Sequence, residues 1–86
     1  IINKTRSEAV LAVAYLKLAN GDRNAALDLF NLNIKNNPKM AESYYNLANY
    51  YYITGNYNAS LNEIKNALYY YTIHVHPQAR QYFPST

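Results

Sequence analysis

Residues 41–61, AESYYNLANYYYITGNYNASL, decide the fold of this chain once they are set against residues 7–27, SEAVLAVAYLKLANGDRNAAL. Gly55 follows Gly21 by thirty-four residues, and these are the only 2 glycines in the chain. At the same offset Glu42 repeats Glu8, Ala48 repeats Ala14, Asn58 repeats Asn24, Ala59 repeats Ala25 and Leu61 repeats Leu27. Conservative pairs extend the match: Val13 with Leu47, Phe30 with Ile64, and Ile34 with Leu68. A fixed period of this length marks a repeated supersecondary unit.

Working outward, each unit reads as two helices. Val10, Val13, Ala14 and Lys17 fall at i, i+3, i+4 and i+7, the spacing of one helical face. Thr5 and Glu8 have the spacing of a capping box at its start. Gly21 supplies the left-handed residue that ends it, and Asp22 is placed to cap the helix that follows. That second helix carries Ala26, Leu27, Phe30 and Ile34 on its apolar face, and Asn36, Asn37 and Pro38 close the unit. Pro38 suits the first turn of the next helix, where a missing N–H costs nothing. The second unit repeats the scheme with Tyr44, Leu47, Ala48 and Tyr51, the Gly55–Asn56 turn, and Ser60, Leu61, Ile64 and Ala67. The spacing predicts helices near 6–20, 23–36, 39–54 and 57–73, and a short last helix near 77–83. Tyr44, Leu47 and Tyr51 are the expected core of the third helix.

Composition narrows the function classes. The chain has 86 residues, 50% of them hydrophobic, enough for one small domain with a modest core. With 0 cysteines it has no disulfide, zinc-thiolate site or thiol nucleophile, and the compartment stays open. No apolar run approaches the ~20 residues of a membrane span. The net charge of +3 permits an acidic partner without requiring one. His74 and His76 alone have metal-like spacing. Two histidines without a third ligand are a weak site, and a helix-end role suits them better. Five acidic residues, scattered along the sequence, and no phosphate-binding glycine loop argue against an enzyme. The expected cofactor complement is none.

A thirty-four-residue helix–turn–helix unit with these residues resembles the tetratricopeptide repeat family. The second unit supplies Tyr44, Leu47, Ala48, Tyr51, Ser60, Ile64 and Ala67 at the family's bulky and small positions. The first supplies Val10, Val13, Ala14, Ala26, Phe30 and Pro38. Lys17 stands where the family has an aromatic, Asn33 where it has a small residue, and Thr72 where it has proline. The resemblance covers residues 7–74. It implies an all-α helix-turn-helix repeat solenoid, a single domain over 1–86 with repeat 1 at 7–40, repeat 2 at 41–74 and a capping segment at 75–86. Two repeats leave faces unburied, so the expectation is either a piece of a longer array or a unit that self-associates. In repeat register, Ile1 and Ile2 would fall in the last turn of a preceding helix.

The resemblance also implies a concave groove built from the first helix of each unit. Its residues here are Leu11, Tyr15 and Leu18, then Tyr45, Asn46, Asn49 and Tyr52, flanked by Glu8 and Glu42. Asn46 and Asn49 carry amides that can grip an extended backbone, and the tyrosines offer rigid anchoring area. The same surface could equally be covered by a neighbouring segment of the protein itself. The family's carboxylate clamp for chaperone tails fits poorly, because only Asn46 matches it while Leu11, Tyr15 and Glu42 do not. The expected function is a scaffold or assembly module that binds a protein or extended peptide through the groove or the end faces. The alternatives left open are a single-stranded RNA-binding repeat and a structural spacer. Lys4, Lys17, Lys35, Lys39 and Lys65 are dispersed, whereas phosphate binding wants basic residues aligned.

Overall fold

The computed structural model describes residues 2–78, excluding the side chains of Ile2 and Asn3. Among them the chain is all-helical: α1 (Ile2–Ala19), α2 (Arg23–Asn36), α3 (Ala41–Ile53) and α4 (Tyr57–Val75). The helices form two hairpins, α1 with α2 and α3 with α4, and α2 packs on α3 to join them.

The two hairpin turns are built alike. Gly21 and Gly55 have φ of 83° and 87°, the left-handed conformation that their sequence positions demand. The Asp22 N–H reaches back to the Lys17 carbonyl and the Asn56 N–H to the Tyr51 carbonyl, closing matching helix ends. Asp22 then accepts the Ala25 N–H at 3.3 Å, and Asn56 accepts the Ala59 N–H at 3.3 Å. One local chemistry is thus used twice, at the predicted places.

Helix starts differ from expectation. α1 begins at Ile2, so Thr5 and Glu8 lie inside the helix rather than forming its capping box, and Ile2 belongs to α1 rather than to a preceding helix. Nothing between Ile2 and Thr5 breaks a helix, so the first helix runs on past the expected cap. α3 begins at Ala41, after Met40 in an extended conformation. Pro38 occupies the turn before it, not its first helical turn. α4 runs to Val75, with His74 in its last turn, and the His76 N–H bonds to the Thr72 carbonyl at 2.7 Å. Pro77 and Gln78 adopt a 3-10 conformation. The rest of the helix expected near 77–83 lies outside the described residues.

The core centres on Ala14, Ala26, Phe30, Leu47 and Tyr50. Ala48, Ser60 and Ala67 are also buried; the Ser60 hydroxyl donates to the Ala48 carbonyl at 2.9 Å. Three expectations about helix faces need correction. In α4, Leu61 and Ile64 are exposed, and only Ser60 and Ala67 of the expected face are buried. In α1, Val13 and Lys17 are exposed, and the core-packed side is Leu11, Ala14, Tyr15 and Leu18. In α3, Tyr44 and Tyr51 are only half-buried, whereas Tyr50 is 6% exposed. The cause is geometric: α3 is covered by both α2 and α4, whereas α1 is covered chiefly by α2. Tyr44 instead stacks on Tyr70, ring centroids 5.1 Å apart and planes 12° apart, and its hydroxyl donates to the Pro38 carbonyl.

Asn33, the residue that departs from the small-residue pattern, is 2% exposed. Its Oδ1 accepts the Ser7 hydroxyl at 2.6 Å, and its amide nitrogen reaches Ser43 Oγ at 3.4 Å. The Asn37 amide adds a bond to the Asn33 carbonyl at 3.2 Å. A buried amide must be satisfied or it destabilises the fold, and this one links α1, α2 and α3 at the junction of the hairpins.

Candidate functional site

The candidate site lies on α1 and α3, the first helices of the two hairpins. Its members divide by burial. Leu11, Tyr15 and Leu18 are half-buried and pack against the core cluster, with the Tyr15 ring edge-on to Phe30 at 5.0 Å. Tyr45 and Tyr52 are exposed, Tyr52 at 64%, where it leans on Tyr57 at 5.6 Å. Helical spacing puts Tyr45, Asn49 and Tyr52 along one side of α3. A tyrosine on such a side offers an apolar body and a polar tip at small entropic cost.

Between the two groups sits a hydrogen-bonded bridge. The Tyr15 hydroxyl donates to Asn46 Oδ1 at 2.7 Å, and Asn49 Nδ2 donates to the Tyr15 oxygen at 3.2 Å. Asn46 Nδ2 in turn donates to the Glu42 carbonyl one turn back, at 2.7 Å. Both polar ends of Asn46 are therefore engaged within the molecule, which makes it a strut between α1 and α3. Asn49 keeps Oδ1 for an incoming donor, no partner for it occurring among the described residues. Tyr15 and Asn49 occupy the same position of their respective units, so their contact ties equivalent points of the two hairpins together.

Two further surfaces flank this site. Between α1, α2 and α3 an open cleft of about 460 Å³ is lined by Lys4, Glu8, Leu11, Met40 and Glu42 among others. Beyond α3, Tyr45 borders a shallow apolar hollow with Ile64, Leu68 and Tyr71. The sequence signal for Tyr50 was present but unused: Ser43, Leu47 and Tyr50 share one helical face, the face α3 turns to α2.

Two tyrosines near α4 are electrostatically shifted. Burial, then the neighbouring Tyr70 and the charge of Glu63, push Tyr44 up to about 12. Burial and Glu63 also raise Tyr51. Both hydroxyls stay neutral near neutral pH, so they act as hydrogen-bonding groups and not as bases.

Set against known proteins, the chain matches no family model, no curated protein and no solved structure.

Proposed function

We propose that this chain is a non-catalytic, tetratricopeptide-like repeat module that binds an extended segment of another protein across α1 and α3. One observation carries the reading. The Tyr15–Asn46–Asn49 bridge fixes the relative placement of the two first helices while Tyr45, Asn49 and Tyr52 remain accessible on α3. Pre-ordered aromatic side chains lower the entropic cost of association. The free Asn49 Oδ1 can accept a peptide N–H, and the tyrosine rings can hold the side chains on either side. The repeated turns support a stack of equivalent hairpins, the architecture in which such a surface lines a groove.

The test is affinity capture from source lysate, with and without nuclease, comparing the wild-type chain with an Asn49→Ala/Tyr52→Ala variant. Tyr45 is left unchanged because it also borders the apolar hollow beside α4. The expected result is a protein partner that survives nuclease and is lost, or weakened at least tenfold, in the variant. Capture that disappears with nuclease would favour the single-stranded RNA reading. Undiminished capture by the variant would remove the groove from consideration.

A further inference from the structure

We propose that copies of this chain stack head to tail, the α1 face of one seated on the α4 face of the next in the way α3 is seated on α2. The internal junction provides the template. There α3 presents Ser43, Leu47 and Tyr50 to α2, where Phe30 lies 5.8 Å from the Tyr50 ring and Ile34 packs alongside. Thirty-four residues earlier, α1 carries Ala9, Val13 and Leu16 in those positions, and all three are exposed, Leu16 at 60%. Thirty-four residues later, α4 carries Ile64 and Leu68 where α2 has Phe30 and Ile34, and both are again exposed, Leu68 at 59%. Among the described residues, the α1 face thus has no receiver and the α4 face no insert.

Three details make the two free faces fit each other. First, the polar junction Ser7–Asn33–Ser43 has as its end-face equivalents Ala41, Ala67 and Ala9. Donor and acceptors are absent together, so these three positions would bury no unsatisfied group when the faces meet. Second, Met40 and Glu8 line the same cleft at the internal junction. Their equivalents across the proposed contact are Arg6 of one copy and Glu42 of the other, which carry opposite charges, with Glu8 of the first copy placed beside them as Glu42 is in the internal cleft. Third, α1 starts at Ile2 although the equivalent of α3's first residue is Ser7, and α4 reaches Val75 although the equivalent of α2's last residue is Tyr70. In the stacked arrangement these two extensions run alongside each other, lengthening the contact. An inserted face meeting a receiving face is a heterologous contact, which builds an open array, or a ring where the rotation closes, and so does not stop as a symmetric dimer does.

Neither Leu16 nor Leu68 belongs to the α1–α3 groove, so this inference and the peptide-binding reading fail separately. The experiment measures mass by light scattering and sedimentation from micromolar to millimolar protein, for wild type, Leu16→Lys, Leu68→Lys and an equimolar mixture of the variants. Helical circular dichroism checks that each exposed substitution leaves the fold intact. Wild-type mass should climb with concentration beyond that of a dimer. Each variant alone should remain monomeric, with self-association weakened at least tenfold. The mixture should form a dimer and nothing larger, because each variant retains the one face that the other needs. A wild-type chain monomeric at every concentration overturns the proposal and passes the α4 face to another occupant, residues 79–86 or a different protein. A wild-type dimer that does not grow, or a mixture that does not pair, overturns it in favour of a symmetric contact.

Discussion

Asn33 is held by hydroxyls from two other helices, which makes its removal costlier than its size suggests. Asn33→Ala strips Ser7 and Ser43 of a buried partner, and a buried group left unsatisfied costs about 1–3 kcal/mol. Removing all three polar groups at once, as Ser7→Ala/Asn33→Ala/Ser43→Ala, should recover much of that loss. Urea unfolding of the single and triple variants measures it; a triple variant less stable than Asn33→Ala by the sum of further losses would show that the hydroxyls have other roles. Tyr44 gives a second residue-level expectation. Its hydroxyl rises from 10.0 to about 12 in the fold, so the unfolded chain gives up that proton first. The stability it contributes is complete below pH 10.0 and is lost as pH climbs through 12. The melting temperature should therefore drop across that window, and Tyr44→Phe should make the drop shallower. An equally steep drop in Tyr44→Phe would assign it to other groups.

At the scale of elements, the turns were more legible than the helix starts. Gly21 and Asp22, like Gly55 and Asn56, act through bonds to residues within five positions of themselves, so the local sequence suffices to read them. The start of α1 was misread because Thr5 and Glu8 have cap spacing inside a stretch that is free to be helical throughout. The buried side of α3 was misread because it depends on which helices cover it, and Tyr50 owes its burial to α2. Its hydroxyl bonds to the Arg23 carbonyl at 3.3 Å, a pairing no helical period reveals. Ala48 tests the α3–α4 pairing directly. It is buried where Ser60 bonds to its carbonyl, so a larger side chain must force the helices apart. Ala48→Leu should destabilise by about 1–3 kcal/mol through overpacking, and an unchanged thermal midpoint would contradict the close approach.

The described residues form a slab of 42 × 33 × 16 Å. A slab this thin leaves most helices an open side, and the buried core is small. This explains why exposed apolar residues lie on the outer faces of α1 and α4 and not only on the side of α3 that carries Tyr45 and Tyr52. The placing of Tyr45, Asn49 and Tyr52 together on α3 came from the family resemblance and agrees with their helical spacing. The bridge that spends Asn46 on Tyr15 was not legible in the sequence, because it depends on the distance between α1 and α3. The self-stacking proposed above belongs at this scale: it rests on the outer faces of α1 and α4 being offset copies of the α2–α3 junction.

The stacked Tyr44 and Tyr70 rings also have an optical consequence. The chain contains 0 tryptophans and 11 tyrosines, and two nearly parallel phenol chromophores 5.1 Å apart couple their transitions. Near-ultraviolet circular dichroism thereby gains a contribution from closure of the second hairpin, one that requires no label and is lost from the total tyrosine signal when α4 leaves α3.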